Sequence, residues 1–195
     1  MASWLVLLRG INVGGKNKVP MGELRAALEE AGFEHVQTYI ASGNVFVDSD
    51  LSARGVADRI EAVLPKAFKL DSELVRVAVV SADELASIVE SRPKGFGDKP
   101  DEYNSDAVFL MGIDADEAFK VFSPKEGVDR VWAGKGVIYS ERLTAKRTAS
   151  RLKSDHVVTA LPVDDDPQLA DHARPAGDDA KTRGPLTSET YRDIS

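Results

Sequence analysis

The sequence predicts an α+β protein made of two ferredoxin-like (α/β plait) units in tandem, followed by a disordered C-terminal tail. Three observations support this fold class. Apolar patterns in residues 1–80 follow the order β-α-β-β-α-β, the split βαβ arrangement. A rearranged version of that order occupies residues 81–153. In residues 154–195 the apolar periodicity ends and Asp, Pro and Gly become frequent, which is typical of disorder.

The elements of the first unit are predicted from apolar periodicity and from residues that begin or end helices. Pro20 fits the first turn of a helix, and Gly32 fits the C-terminal cap of that helix. Ala41-Ser42-Gly43 is typical of a hairpin between two β-rich runs. The strands are predicted at Ser3–Leu8, Val36–Ile40, Asn44–Asp48 and Leu74–Val80, and the second helix at Leu51–Leu70.

The second unit begins with a helix start signal. Ser81 and Glu84 have the spacing of a capping box, which predicts a helix that extends to Glu90 or beyond. A loop rich in Gly, Pro and charge follows. The later elements are predicted as a strand at Ser105–Met111, a helix at Asp116–Phe122, a hairpin of Val128–Ala133 with Gly136–Ser140, and a basic helical segment from Thr144.

Composition excludes several classes of protein. The 195 residues contain no cysteine and three scattered histidines, so thiolate and histidine metal sites are not expected, and no cofactor is predicted. No apolar run approaches the roughly 20 residues of a membrane span, and the run Trp4–Leu8 is too short for a signal peptide. We expect a cytoplasmic protein with no membrane partner.

Charge is distributed unevenly along the chain. The formal net charge is −7, and residues 154–195 contribute −5 of it. Two segments of the remainder are basic and contain no acidic residue: Arg9–Lys18 carries +3 and Arg142–Lys153 carries +5. The overall acidity argues against a protein that coats nucleic acid through non-specific charge, whereas the two basic segments are candidate anion sites.

The first basic segment resembles a nucleotide-binding loop. Gly10–Lys16 has the spacing G-x-x-x-x-G-K of a P-loop, but Asn17 replaces the hydroxyl residue and the helix begins late, near Pro20. Three interpretations remain open: a nucleotide hydrolase, a tight turn with solvated lysines, and a loop that holds a phosphate or another anion. In the third, the ligand-binding groups would be Arg9, Asn12, the amides of Gly14 and Gly15, and Lys16 or Lys18.

The predicted topology places this loop at one end of the first sheet. We expect it to lie near His35 and Asp48–Asp50, with the Ser42-Gly43-Asn44 hairpin at the opposite end. If both loops are functional, they would then serve different surfaces.

Two motifs carry a specific family resemblance. Arg9–Met21 (RGINVGGKNKVPM) and Thr38–Phe46 (TYIASGNVF) resemble the signature of an uncharacterised bacterial family, domain of unknown function 1697. The resemblance covers about residues 1–153 and implies two ferredoxin-like units, with no assigned activity. The residues that match the family signature are Arg9, Gly10, Asn12, Gly14, Gly15, Lys18, Pro20, Tyr39, Ser42, Gly43 and Asn44.

A third stretch, Tyr139–Leu152, is also similar to the family. It is either a solvated basic helix face or an extension of the anion-binding surface through Lys146, Arg147 and Arg151. The ligand-binding candidates together are Arg9, Asn12, Gly14, Gly15, Lys16, Lys18, Ser42, Asn44, Lys146, Arg147 and Arg151.

The chain departs from the family after Lys153. Relatives continue with a stretch similar to Met-Thr-Ile-Arg-Asn-Trp and a closing helix, whereas this chain has Asp164–Asp171, DDDPQLAD. One possible coding string for these eight residues is GATGACGATCCGCAACTGGCGGAC, and read one base later this string gives Met-Thr-Ile-Arg-Asn-Trp-Arg. We hypothesise an out-of-frame tail, which would truncate the second unit. Sequencing the gene tests this hypothesis, and a gene in which no shifted frame restores the Arg-Asn-Trp motif contradicts it.

The sequence leaves three functions open. The first is a module that binds a phosphate-bearing small molecule or a nucleic-acid end, and the second is an enzyme that uses the same loop for a substrate phosphate. The third is a homodimeric interaction module. No catalytic residues are assigned, because Ser42 and Ser150 have no histidine nearby in sequence.

Overall fold

A computed structural model describes residues 1–39, 43–71, 75–110, 115–122, 124–150 and 158–162. The first unit has the predicted order of strands and helices. Its elements are β1 (Ala2–Arg9), α1 (Met21–Glu30), β2 (Glu34–Tyr39), β3 (Asn44–Ser49), α2 (Ala53–Ala67) and β4 (Arg76–Ser81). The first sheet is antiparallel with the order β2-β3-β1-β4, so β1 lies between β3 and β4.

The helix boundaries of the first unit follow from the signals in the sequence. Helix α1 begins after Pro20 and ends before Gly32, whose φ of 87° is accessible mainly to glycine. The Gly32 amide donates to Glu29 O, and the next amide, of Phe33, donates to Leu28 O. These two bonds satisfy carbonyl groups at the end of α1 and direct the chain into β2.

The second unit repeats the strand order of the first. Its elements are α3 (Ala82–Glu90), β5 (Tyr103–Phe109), α4 (Ala115–Val121), β6 (Asp129–Gly134), β7 (Val137–Leu143), a 3₁₀ segment (Thr144–Ala149) and β8 (Val158–Pro162). The predicted capping box is present: Ser81 Oγ accepts from the Glu84 amide, and the Glu84 side chain accepts from the Ser81 amide. The basic helical segment predicted from Thr144 is a 3₁₀ segment with a kink at Lys146.

Strand β8 corrects part of the prediction for the C-terminal tail. The second sheet has the order β6-β7-β5-β8, and β8 pairs antiparallel with β5 through Asp106 opposite Pro162. Five residues of the segment predicted to be disordered therefore belong to a sheet. The prediction missed them because their run is short and precedes an Asp-rich stretch, while the pairing partner β5 is distant in sequence. The rest of that segment lies outside the described residues.

Alternating side chains of the two sheets build a layered structure. One face of the first sheet packs under α1 and α2 around Val6, Leu8, Leu24, Leu28 and Ile60. The opposite face, the inner face, packs against the second sheet. The inner-face residues in this shared core are Leu5, Leu7, Phe46, Ala78 and Val80 of the first sheet and Ala107, Phe109, Val137 and Tyr139 of the second.

Phe96 fills the shared core from the loop between α3 and β5. Its side chain is fully buried and meets the rings of Tyr139 and Trp132 edge-on, at centroid distances of 5.1 and 6.1 Å. The Tyr139 hydroxyl donates to Ile88 O of α3 over 2.6 Å. The two sheets thus share one apolar core, although the boundaries of the units at residues 80 and 153 stay a prediction.

Candidate functional site

The loop that joins β1 to α1 lies at the same end of the first sheet as the β2–β3 hairpin. Leu7 pairs with Asn44 at the start of β3, and Leu8 donates its amide to Gly43 O over 3.0 Å. The expectation that these loops lie at opposite ends was wrong. Strands β3 and β4 both run antiparallel to β1, and β2 runs antiparallel to β3. The ends of β1 and β2 and the starts of β3 and β4 therefore lie at the same end of the sheet.

The residues expected beside the loop lie at the other end of the sheet. The Ser3 hydroxyl donates to Asp48 Oδ1 over 2.6 Å, and His35 Nδ1 lies 2.9 Å from Asp48 Oδ2. The N-terminal ammonium of Met1 lies 2.9 Å from Asp50, and the hydrogen bond to that carboxylate raises the pKa of the ammonium. In this group the aspartate lies between the serine and the histidine, so the histidine does not contact the hydroxyl as in a nucleophile-activating triad.

The tip of the β1–α1 loop is a two-residue hairpin. The Lys16 amide donates to Val13 O over 3.0 Å, and the Asn12 amide donates to Asn17 O over 3.0 Å. Gly14 and Gly15 form the turn with φ of 58° and 78°, the positive values that a type I′ turn requires. A P-loop instead wraps its amides around a phosphate and continues directly into a helix. The nucleotide-hydrolase interpretation is therefore not supported by the loop geometry.

Asn12 holds the hairpin to the start of α1. Its side-chain amide donates to Val19 O, and its side-chain oxygen accepts from the Val19 amide, both over 2.9 Å. This residue was predicted as a ligand-binding group. The structure uses both ends of its carboxamide within the loop, and its φ of 54° is one that Asn adopts more readily than most residues. Asn12 therefore shapes the loop.

Asn17 joins the hairpin to the connection between α2 and β4. Its side chain donates to Gly10 O and accepts from the Asp71 amide, each over 2.7 Å, while its own amide donates to Asp71 Oδ2 over 2.7 Å. The side chain is only 4% exposed. In the P-loop comparison Asn17 occupied the position of the hydroxyl residue, whereas here it is a buried structural residue. Asp71 was missed because nothing in its local sequence indicates this contact.

The two signature motifs meet at Gly43. A Cβ atom at this position would lie 2.6 Å from Ile11 Cδ1 and 3.0 Å from Leu8 Cβ, and the φ of Gly43 is 89°. Only glycine therefore allows the hairpin to approach the loop this closely. Asn44, the next residue and a predicted ligand-binding group, is fully buried at the start of β3. The predicted site residue Ser42 lies outside the described residues.

The cations at this end of the sheet come from two strands and one loop. Lys16 and Lys18 are exposed on the hairpin, as the solvated-turn interpretation also expected. Arg9, the last residue of β1, pairs directly with Arg76, the first residue of β4. Sequence reasoning missed Arg76. The signal was available, because antiparallel pairing of β1 with β4 brings the end of one strand to the start of the other.

The second group of predicted basic residues lies on the other unit. Lys146 is exposed on the 3₁₀ segment, which is bonded to the end of the α3–β5 loop through the Thr144 amide and Glu102 O. Arg147 belongs to the same segment, and Arg151 lies outside the described residues. The structure thus places the segment with Lys146 and Arg147 in the second unit, whereas the hairpin belongs to the first.

The second unit also contains a buried carboxylate. Glu141 is 1% exposed, accepts from the Gly97 amide over 2.9 Å and from Ser105 Oγ over 3.1 Å, and pairs with Arg130. The Arg130 guanidinium lies 4.0 Å from the centroid of the Tyr103 ring. These contacts fasten the α3–β5 loop to the second sheet.

Neither a metal cluster nor a membrane-spanning helix is found in the described part of the chain. No group of three or more His, Cys, Asp or Glu side chains there could hold a metal ion. No helix among these residues is long and apolar enough to cross a membrane.

Comparisons with known proteins support the fold and the family. No curated protein matches the chain. A solved structure with the same fold is the conserved bacterial protein SP0830 from Streptococcus pneumoniae, with a TM-score of 0.63 and 24% identity over 88% of this chain and 97% of that one. Residues 1–139 match the family described as Protein of unknown function (DUF1697). Because this match covers well over half of the sequence, the chain belongs to the DUF1697 family.

Proposed function

We propose that the β1–α1 hairpin end of the first sheet binds a phosphate-bearing ligand, either a nucleotide or a nucleic-acid end. The observation that supports this function best is the combination of a fixed loop with several cations. The cations are Lys16 and Lys18 on the hairpin and Arg9 and Arg76 on the adjoining strands. Together they define a surface that we call the hairpin end.

A fixed loop favours binding because little conformational freedom remains to be lost. Ordering a flexible residue costs about 1–2 kcal/mol of backbone entropy. In the hairpin, the side chains of Asn12 and Asn17 already bond to Val19, Gly10 and Asp71. A ligand at this surface would meet a preorganised arrangement, which preserves more of its interaction energy as affinity.

The charge at the hairpin end contrasts with that of the whole chain. Among the residues described, the carboxylate of Asp71 opposes the charges of Arg9, Lys16, Lys18 and Arg76 there, and the loop sequence alone did not reveal it. That carboxylate accepts from the Asn17 amide, so part of its hydrogen-bonding capacity is already used within the loop. A local excess of positive charge on a chain of net charge −7 would attract an anion to this surface selectively.

A thermal-shift and calorimetry panel of inorganic phosphate, nucleotides and 5′-phosphorylated oligonucleotides tests the proposal. A ligand present at one hundred times its Kd should stabilise the protein by about 2.7 kcal/mol. The double variant Lys16→Gln with Lys18→Gln should reduce this stabilisation, because both lysines are exposed on the hairpin. Lys135→Gln is the matched control, since Lys135 is exposed at the β6–β7 turn of the other unit and carries the same charge.

The alternatives give different results in the same panel. If a ligand that binds is also converted to product, the hairpin end serves an enzyme. A mass that rises with protein concentration, with no stabilisation by any member of the panel, would instead favour the homodimeric module. Equal binding by the lysine double variant and the wild type would remove the hairpin from the proposal.

A further inference from the structure

We infer that Arg9 and Arg76 form a two-arginine clamp for a terminal phosphate, a phosphomonoester dianion, at the hairpin end. This inference rests on the proposed function and names the chemical class of its ligand. Arg9 is the last residue of β1 and Arg76 is the first residue of β4, and the two are direct partners in the antiparallel register. Directly opposed residues of such a pair have Cβ atoms about 4.5–5.5 Å apart.

Both arginines belong to the inner face of the first sheet. Arg9 follows Leu5 and Leu7 in the alternation of β1, and Arg76 precedes Ala78 and Val80 in that of β4. Those four apolar residues contribute to the core between the sheets. Because side chains on alternate residues share a face, the side chains of Arg9 and Arg76 leave the sheet on the same face as this core.

The polar neighbours on this face suit a small charged group. Asn44 is the strand partner of Leu7, which lies two residues before Arg9 in β1. It is also two residues from Phe46, a residue of the shared core, so Asn44 belongs to the inner face as well. Tyr39 pairs with Asn44 and packs against the shared core. Asn44 is fully buried, so Tyr39, which is half-buried, is the one of these two polar side chains that a ligand could reach.

The charge and geometry of two adjacent guanidinium groups favour a phosphomonoester over a phosphodiester. A guanidinium is a planar fork that binds phosphate oxygens in pairs. A monoester offers three terminal oxygens and nearly two negative charges at neutral pH, whereas a diester offers two terminal oxygens and one charge. Two guanidinium forks side by side can bind all three terminal oxygens of a monoester, whereas a diester leaves part of their hydrogen-bonding capacity unused.

Calorimetry with a matched pair of small ligands tests the clamp. Phenyl phosphate carries the monoester, and methyl phenyl phosphate is the corresponding diester. We expect the wild type to bind phenyl phosphate at least about tenfold more tightly than the diester. Arg76→Gln should lose that preference, Arg76→Lys should retain part of it, and Lys135→Gln should match the wild type.

The stability of the unliganded variants separates a clamp from a structural arginine. Arg76 is exposed at a strand end, so Arg76→Gln should unfold at nearly the same temperature as the wild type. A lower unfolding temperature together with unchanged preference for phenyl phosphate would overturn the clamp.

Further outcomes distinguish the clamp from the proposed function. If Arg76→Gln binds phenyl phosphate like the wild type while the Lys16 and Lys18 double variant does not, the function stands and the clamp is wrong. If the wild type binds no member of the phosphate panel, both fail. Equal affinity for a nucleoside monophosphate and a 5′-phosphorylated oligonucleotide, with none for the unphosphorylated strand, would support recognition of the terminal phosphate itself.

Discussion

The two units share a strand order but cover their sheets differently. In the first unit the second crossover contains α2, a helix of 15 residues, whereas in the second unit the corresponding connection contains a 3₁₀ segment of six residues. The outer core of the first unit holds fifteen buried residues, and that of the second holds three of the residues described: Val108, Ala118 and Ile138. Among the residues described, the buried apolar side chains of the second unit lie mainly in the core between the sheets.

The units also differ in how their loops are held. In the first, amide side chains fix the β1–α1 hairpin through hydrogen bonds to the backbone. In the second, Phe96 and the contacts of Glu141 fasten the α3–β5 loop against the sheet. The comparison teaches that one topology can serve two purposes. The first sheet presents a polar loop at its end, whereas the inner face of the second sheet packs against the first.

The largest expected effect comes from the core that the units share. Phe96→Ala should lower the free energy of unfolding by about 3–5 kcal/mol, because a fully buried ring is removed and a cavity remains. Denaturant unfolding followed by fluorescence measures this change. Trp4 reports on the first unit and Trp132 on the second, so each can be followed in a variant in which the other is replaced by Phe.

If the units depend on one core, the two tryptophans should report coincident transitions, and Phe96→Ala should shift both. A shift at Trp132 alone would show that the first unit is stable by itself, which would sharpen the contrast between the sheets. A conservative control is Phe96→Leu, which retains most of the apolar volume.

The next effect should be confined to the first unit. Asn17→Thr would complete the P-loop sequence pattern. It would also remove the side-chain hydrogen bonds of a buried residue to Gly10 and Asp71. We expect a loss of about 2–4 kcal/mol of stability and no gain of nucleotide hydrolysis. Chemical denaturation and a phosphate-release assay measure the two outcomes. Asn12→Ala, at an exposed position in the same loop, should cost less.

The smallest effect tests the contact between the two signature motifs. Gly43→Ala should cost about 1–3 kcal/mol from its positive φ alone, and contact with Ile11 adds to this. Adding Ile11→Ala should restore space for the new methyl group. In a double-mutant cycle the two changes should therefore cost less together than the sum of the single changes. If the two free-energy changes were strictly additive, the side chain of Ile11 would not contact the methyl group added at Gly43.

The sequence was sufficient for the order of elements and insufficient for the loop geometry. Local signals identified Pro20 and Gly32 at the ends of α1 and the capping box of Ser81 and Glu84, because each acts within a few residues. The strands of the first unit followed from short apolar or β-rich runs, such as the continuous apolar run Ser3–Leu8. The strand Val158–Pro162 was missed, since its stabilising partner β5 lies far away in the chain.

The candidate site was only partly predictable for the same reason. Gly14, Gly15, Lys16 and Lys18 were identified because turn residues and charges can be recognised in a short window. Asp71 and Arg76 come from a distant segment, and only the pairing of β4 with β1 and the contacts of Asn17 bring them to the loop. The end of the sheet at which the loop lies also had to come from the structure.

The hairpin tip offers a place to attach a reporter. Val13 is 66% exposed, and Gly14 and Gly15 beside it have open space around them. The chain contains no cysteine, so Val13→Cys would create a single reactive thiol. A fluorophore coupled there would stand at the edge of the cationic surface without touching the buried asparagine, and its emission could register the arrival of an anion directly.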